Sequence, residues 1–411
     1  MRQGLSASAA RRKSAIGRSV AALVILLFAA HSAQAAEVSV LGIRIGGDAK
    51  STRFVIDLDR KIPFSYLLLA DPYRVVIDLP EVNWDIGLKG VGSGKGLIGQ
   101  YRYGLFRPGV SRLVLDLNGP TKIKKIFHLA PGRKHGDRLV VDLVPTSRAS
   151  FVEAVERSRK NRKPISAPEE QQPRPITRHT NTKRVIIVDA GHGGVDPGAL
   201  SVIGVPEKKI ALSVAKEIRR ELQKSGKYLV LMTRERDIFV SLSKRVEFAR
   251  QAEADLLISV HADSIKNPKV NGATVYTLSE KASDKEAASL ARKENRSDLI
   301  AGLDLKGESD QVTSILIDLA QRETMNYSAR FANFLVPELK RRLTMRSNSH
   351  RFAGFRVLRA PDVPSTLMEI GYLSNRADAR RLSSKQGQQS IAVAVAAAIE
   401  QYFTSVVAEG F

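Results

Sequence analysis

Four short segments in the first third of the chain share one hydrophobic pattern. Each begins with arginine, continues with β-branched or other apolar residues and ends with Asp-Leu: residues 53–58 (RFVIDL), 74–79 (RVVIDL), 112–117 (RLVLDL) and 138–143 (RLVVDL). The pattern predicts strands, which the glycine-rich stretch 87–99 divides into two pairs. We therefore predict a small all-β sandwich of two similar halves over residues 36–145, with cross-strand Arg–Asp ion pairs on a solvated face.

The β domain contains no catalytic group of residues, so we expect it to bind or position something. After it, residues 146–182 lose large apolar residues and gain Pro164, Pro168, Pro173 and Pro175 among charged residues. Such a composition cannot bury a core, which predicts a flexible, extended linker with a short helix within residues 150–160. A linker of this kind would leave the two folded units mechanically independent.

From residue 183 to about 405 apolar runs alternate with helical periodicity. Ile210, Val214, Ile218 and Leu222 recur every four residues and predict a helix; further helices are expected over 242–252 and 390–403. Strands are predicted at residues 185–189, 228–232, 256–260, 273–278, 355–358 and 366–370. The alternation predicts an α/β domain with a mainly parallel sheet covered by helices on both faces, and ligands bind such sheets at the carboxyl ends of the strands.

The first 35 residues have the organisation of a secretory signal peptide. Basic residues precede an apolar run at 21–30, and Ala33-Gln34-Ala35 follows as a cleavage site. The alternative is a membrane anchor, but ten apolar residues are too few to span a bilayer. We therefore predict export to the periplasm without a stable membrane span. The pair Arg11-Arg12 leaves the Sec and twin-arginine routes both open.

The charge of the chain suggests an acidic partner. The formal net charge is +23, and because residues 1–35 carry five basic and no acidic residues, the mature chain keeps +18. Nucleic acid, an anionic membrane surface and an anionic wall polymer would all suit this charge. Export removes nucleic acid from contention. The chain has no cysteine, so a metal would need His, Asp or Glu ligands.

Two of the seven histidines follow predicted buried strands directly. His192 lies in the glycine-rich sequence AGHGG, and His261 follows residues 256–260. A histidine at the carboxyl end of a strand faces the crevice, and neighbouring glycines allow close approach of a ligand. The alternative for either histidine alone is a turn residue.

Two glutamates occupy related positions. Glu207 opens a predicted helix, where the helix dipole alone would also favour it, and Glu369 ends an apolar strand, where an unpaired charge is costly. Two histidines and one carboxylate are a typical catalytic zinc set, and a further carboxylate can act as general base. These residues predict a zinc hydrolase.

Five stretches of the second domain occur in a characteristic order: VIIVDAGHGGVDPGA, VPEKKIALSVAKEI, TRERD, AEADLLISVHAD and GFRVLRAPDVPSTLMEIGYLSN. In them, residues 183–404 resemble the zinc-dependent N-acetylmuramoyl-L-alanine amidases of the cell-wall type. Residues 36–145 resemble the AMIN domain that precedes such enzymes and binds the wall or septum.

The resemblance implies Zn²⁺ bound by His192, Glu207 and His261, with Glu369 as the catalytic glutamate. The substrate would be peptidoglycan, cut at the amide between N-acetylmuramic acid and L-alanine. His350 is a candidate for positioning substrate or an oxyanion, against the alternative of a surface-loop histidine. Arg234 and Asn375 are expected to be structural.

A long insertion at about residues 280–325 follows the strand predicted at 273–278, and the sequence QRETMNYS lies at its end, at residues 321–328. Similar insertions in division-associated amidases of Gram-negative bacteria are regulatory and lie over the zinc, which implies an autoinhibited enzyme released by a LytM-like activator. Glu294 is our first candidate for blocking the metal and Glu286 the second; alternatively, both are solvated helix charges.

Two other functions are compatible with the residues alone. One is a non-catalytic wall-binding protein with an amidase-like domain, which the complete set of candidate site residues disfavours. The other is a zinc carbohydrate deacetylase or peptidase that acts on the wall with the same metal ligands.

Overall fold

The computed structural model describes residues 38–86, 90–132, 136–165, 183–304 and 315–408, of which 315–320, 407 and 408 are described by their backbone alone. The predicted signal peptide and residues 166–182 of the predicted linker lie outside this range. Among the described helices, none combines the length and the apolar character needed to cross a membrane.

The first domain is a sandwich of two five-stranded sheets. Its strands are β1 (Val38–Gly47), β2 (Thr52–Leu58), β3 (Ser65–Leu69), β4 (Arg74–Pro80), β5 (Val82–Trp84), β6 (Val91–Ser93), β7 (Ile98–Arg107), β8 (Val110–Leu117), β9 (Thr121–Leu129) and β10 (Asp137–Pro145). The first sheet has the order β5-β1-β2-β10-β9, and the second has β3-β4-β8-β7-β6. The four repeated segments form β2, β4, β8 and β10 and pair at the centre of the two sheets. The predicted sandwich is confirmed.

Cross-strand ion pairs occur in both sheets, but only one outer face is solvated. On the first sheet, Arg53 donates to Asp142 at 2.6 Å from a half-exposed position. On the second sheet, Arg112 and Asp78 pair at 2.6 Å while almost fully buried. Another part of the chain therefore covers the second outer face, contrary to the prediction for it.

The first part of the predicted linker is a 14-residue helix, α1 (Arg148–Asn161), capped by Ser147. Phe151 and Val155 are buried in the core of the sandwich, and the Leu68 amide donates to Ser158 Oγ at 3.1 Å. The residues that looked too sparse to bury a core thus complete the core of the β domain. The short helix predicted within residues 150–160 is confirmed, but a flexible linker is wrong for this stretch.

The second domain has a six-stranded sheet in the order β12-β11-β13-β16-β14-β15. The strands are β11 (Arg184–Ala190), β12 (Tyr228–Met232), β13 (Leu256–His261), β14 (Ala273–Leu278), β15 (Met345–Ala353) and β16 (Ser365–Glu369). Four pairings are parallel, and β14 with β16 is antiparallel. The carboxyl ends of β11, β13 and β16 therefore meet at one edge.

Helices cover both faces of this sheet, as predicted. They are α2 (Glu207–Gln223), α3 (Leu242–Gln251), α4 (Lys285–Glu294), α5 (Ser297–Ile300), α6 (Ile315–Lys340), α7 (Arg376–Ser383) and α8 (Lys385–Ala408). Helices α2, α6 and α8 pack on one face, and α3 and α4 pack on the other. The strand predicted at 355–358 is wrong: Arg356–Leu358 forms a 3₁₀ turn, and its apolar residues are buried as core rather than paired in the sheet.

The two domains are packed together, and the chain from Val38 onward forms one compact unit. The Phe239 amide donates to the Leu105 carbonyl at 3.1 Å, across the two domains. A Cβ on Gly104 would lie 2.4 Å from the backbone of Gly194. The prediction of mechanically independent domains is therefore wrong for this structure.

Candidate metal centre

His192 lies in the loop after β11 in a left-handed conformation, with φ of 58°. Several buried groups hold it there. Arg245 donates to the His192 carbonyl at 2.8 Å and to Asp189 at 2.5 Å. Asp196 Oδ2 lies 2.9 Å from His192 Nδ1. A carboxylate at this distance fixes the imidazole tautomer and leaves Nε2 available as a ligand.

His261 ends β13 and faces the same crevice. Gly191 makes room for it, because a Cβ there would lie 2.4 Å from the imidazole. Glu207, the first residue of α2, is fully buried between the two loops. Its Oε1 accepts the Ala262 amide at 2.9 Å, and its Oε2 accepts the Ala199 amide at 2.8 Å. The carboxylate is thereby fixed with Oε1 toward both histidines.

Four buried donor atoms converge on one point. Glu207 Oε1 lies 3.0 Å from His192 Nε2 and 3.3 Å from His261 Nδ1. Glu294 Oε2 lies 3.3 Å and 3.2 Å from the same two nitrogens. A tetrahedral zinc ion with bonds of about 2.0 Å separates its ligands by about 3.3 Å. The donors therefore fit such an ion, and neither nitrogen has a hydrogen-bond partner among the described residues.

The electrostatics of the cluster also favour a cation. Burial opposes charge on His192, but the surrounding carboxylates, Glu207 first among them, raise its pKa well above the ordinary value. Burial likewise opposes charge on His261, while Glu294 is the strongest of the groups that raise its pKa to about 10. A bound divalent ion would supply the positive charge that these carboxylates require and leave the imidazoles neutral as ligands.

Glu369 ends β16 directly beside His261 on β13. Its Oε2 accepts the Asp263 amide at 2.8 Å, and its Oε1 has no partner among the described residues. Burial raises its pKa well above the ordinary value; His261 opposes this rise and Asp263 adds to it. The free Oε1 of a carboxyl group with a raised pKa is suited to accept and return a proton.

The two candidate blocking glutamates lie at opposite ends of helix α4. Glu294, its last residue, is buried with its carboxylate at the two histidines. Glu286, near the start of the helix, instead contacts Arg346 at 3.1 Å, Arg351 at 3.3 Å and the Tyr372 hydroxyl at 3.1 Å. The structure thus brings Glu294 to His192 and His261 and places Glu286 at the opposite end of the helix. Glu294 is therefore not a solvated helix charge, whereas Glu286 is partly exposed and paired with two arginines.

The remaining candidates have other surroundings. His350 lies on β15, where its Nε2 is 3.0 Å from Thr277 Oγ1, so a role in positioning substrate stays a prediction. Arg234 donates to the carbonyls of Ala190 and Gly191 and so supports the His192 loop. Asn375 caps α7. Both contacts are structural, as expected.

Sequence reasoning did not identify Asp196, Asp189 and Arg245 as supports of the site. Asp196 has a local signal, because a carboxylate four residues after a candidate ligand in a glycine-rich loop is placed to orient it. Arg245 lies on a helix that reaches His192 only through the tertiary fold, so its role required the structure.

An α/β fold that gathers this donor set and a second buried glutamate at the ends of its strands is typical of metal-dependent hydrolases. Residues 186–401 match the family model described as N-acetylmuramoyl-L-alanine amidase, and residues 42–143 match the AMIN domain model. The chain is 32% identical to N-acetylmuramoyl-L-alanine amidase AmiC of Escherichia coli, over 92% of this chain and 93% of that protein. It is also 32% identical to AmiC of Neisseria meningitidis, over 87% of this chain and 89% of that one.

The chain therefore belongs to the N-acetylmuramoyl-L-alanine amidase family. It is a peptidoglycan hydrolase with an N-terminal AMIN domain. The match favours amide hydrolysis over the deacetylase, the peptidase and the non-catalytic wall binder that the residues alone left open.

Proposed function

We propose that the enzyme is a zinc-dependent amidase of the periplasm that is autoinhibited by its own insertion. His192, Glu207 and His261 would hold the zinc ion. The observation that carries this assignment is the convergence of their three donor atoms, 3.0 and 3.3 Å apart, without hydrogen bonds to the two nitrogens. Zinc, when bound, polarises a carbonyl and lowers the pKa of a water molecule.

Glu369 is the proposed general base and acid. Its Oε1 takes a proton from the water that attacks the scissile carbonyl carbon. The carbon–nitrogen bond then breaks, and Oε1 returns the proton to the leaving alanine nitrogen. The products are a free lactyl carboxylate on the glycan and a peptide with a free L-alanine amino group. The hydrogen bond from the Asp263 amide to Oε2 keeps the other oxygen oriented for both transfers.

Substitutions at Glu369, His192 and His261 test the assignment. Glu369→Ala should abolish turnover but retain zinc, because it removes the proton carrier and not a ligand. His192→Ala and His261→Ala should lose both zinc and activity. The readouts are zinc content by mass spectrometry and digestion of purified wall. A Glu369→Ala enzyme with near wild-type rates would show that the general base lies elsewhere.

Glu294 is the proposed autoinhibitory residue. Its Oε2 lies 3.3 Å from His192 Nε2 and 3.2 Å from His261 Nδ1, against 3.0 and 3.3 Å for Glu207 Oε1. In this position it would take the fourth zinc coordination site, which the catalytic water needs. Opening requires α4 to leave, and a LytM-like activator that binds the open form better would shift the equilibrium toward it. An exported amidase that was always active would endanger its own cell.

A further inference from the structure

Three arginines lie on the outer face of the second sheet of the β domain. Arg74 on β4, Arg102 on β7 and Arg112 on β8 are each at most 5% exposed, and we call this surface the arginine face. Arg53 occupies the same repeat position on the first sheet, yet its side chain is 54% exposed. The exposure of these arginines differs because residues 299–302 of the insertion pack over the second sheet.

The arginine face binds main-chain carbonyls of four successive residues in the insertion. Arg74 donates to the Leu299 carbonyl, and Arg102 donates to the Ile300 carbonyl at 3.3 Å. Arg112 donates to the carbonyls of Ala301 and Gly302 at 3.2 and 3.1 Å. These carbonyls lie at the carboxyl end of α5, where cationic side chains are favourable.

Apolar contacts fit the same segment to the sheet. Ala301 is fully buried in a cluster with Val76 and Val114 of the β domain. Gly302 has φ of 71°, and a Cβ there would lie 2.9 Å from Val76 and 3.1 Å from Val114. Arg159 of α1 adds an ion pair to Asp304 at 2.5 Å. The contact is therefore close-packed as well as charged.

The bound segment is joined to the blocking glutamate by a short connection. Only four residues separate Glu294 from Leu299, and two of them, Ser297 and Asp298, are hydrogen-bonded to the catalytic domain. Ser297 Oγ donates to Asp196 at 2.5 Å, and the Leu242 amide donates to Asp298 at 3.0 Å. Asp196 in turn contacts His192. A segment held at residues 299–302 therefore restrains the carboxyl end of α4.

We propose that the arginine face is the docking surface that keeps the insertion closed, so that the β domain is a working part of the autoinhibitory device. The occupant is the segment 299–303 of this chain. Glu294 leaves the metal cluster only when this segment leaves the arginine face. The inference rests on the autoinhibition proposed above and adds to it the residues that hold the closed state.

The test compares basal dye release from labelled sacculi by full-length, zinc-loaded variants. Arg74→Ala removes the hydrogen bond to the Leu299 carbonyl. Gly302→Val places a larger side chain against Val76 and Val114 and should push the segment off the sheet. Arg74→Ala should raise basal activity about tenfold, because a lost hydrogen bond from a charged group shifts the closed–open equilibrium by about that factor. Gly302→Val should also raise it, because its side chain would clash with Val76 and Val114 in the docked segment. Hydrogen exchange of residues 285–304 should become faster in both. Arg53→Ala, the matched arginine on the solvated sheet, should change neither quantity.

Glu294→Ala separates this proposal from the autoinhibition beneath it. It should raise basal activity by itself, because the blocking carboxylate is gone, and Arg74→Ala added to it should raise activity further, because α4 remains docked until Leu299 is released. If Glu294→Ala activates but Arg74→Ala and Gly302→Val do not, with their folds intact by circular dichroism, the arginine face does not hold the closed state. If Glu294→Ala and the double variant Arg74→Ala, Glu294→Ala both leave activity low, the autoinhibition and the docking proposal are both wrong.

Discussion

Asp196 connects more of the site than its position in the sequence suggests. It contacts His192 Nδ1, accepts the Gly198 amide at 3.1 Å and accepts the hydroxyl of Ser297 from the insertion. It is therefore expected to orient a metal ligand, and its contact with Ser297 also links the loop to the insertion.

Asp196→Ala should weaken zinc binding by about 10- to 100-fold, the usual effect of losing a residue that orients a histidine ligand. Competition with a zinc-binding dye would measure the affinity. Asp362→Ala is the matched control, because Asp362 is a half-exposed carboxylate paired with Arg250 on the surface. Equal zinc affinity in the Asp196 variant and the wild type would contradict the orienting role.

At the residue scale, the sequence predicts what lies at the ends of strands. His192, His261 and Glu369 each follow or end a buried apolar run, and parallel strands bring such ends together. Contacts made by the insertion were harder to predict. Glu286 and Glu294 lie on one helix, and only the tertiary packing of α4 decides which of them meets the metal cluster.

Helix α1 is an element whose role depends on two side chains. Phe151 and Val155 are buried in the sandwich core, whereas the neighbouring Val152 is 41% exposed. Phe151→Ala should lower the free energy of unfolding by about 3–5 kcal/mol. Val152→Ala should change it by less than about 0.5 kcal/mol, as an exposed site does. Chemical denaturation of the full chain measures both; equal midpoints for the two variants would mean that α1 does not complete the core.

At the element scale, strong hydrophobic patterns predicted strands and helices well. Polar or short elements were not predicted. Strand β15 (MRSNSHRFA) has few apolar residues to alternate, since it is an edge strand of its sheet. The apolar residues at 355–358 are buried beneath α3 and pack there without pairing in the sheet. Burial and strand pairing give the same short apolar run, so the pattern alone cannot separate them.

At the scale of the whole molecule, the packing of the two domains was not predictable from the repeat. Arg53 and Arg74 begin the same RxVIDL pattern, yet one is solvated and the other is covered by the insertion. The sequence records the arginine and not what lies over it. The scarcity of large apolar residues at 146–182 wrongly indicated a linker without packed structure. Phe151 and Val155 are enough to anchor a helix on the core that the sandwich already provides.

We propose above all that His192, Glu207 and His261, together with Glu369, form the site that hydrolyses the bond between muramic acid and L-alanine. Digestion of purified peptidoglycan by the Glu294→Ala enzyme, followed by identification of the new termini by mass spectrometry, tests it most directly. We expect new L-alanine amino termini and free lactyl groups, which disappear after chelation and return with zinc. New glucosamine amino groups, cuts elsewhere in the peptide, or digestion undiminished by the chelator would contradict it.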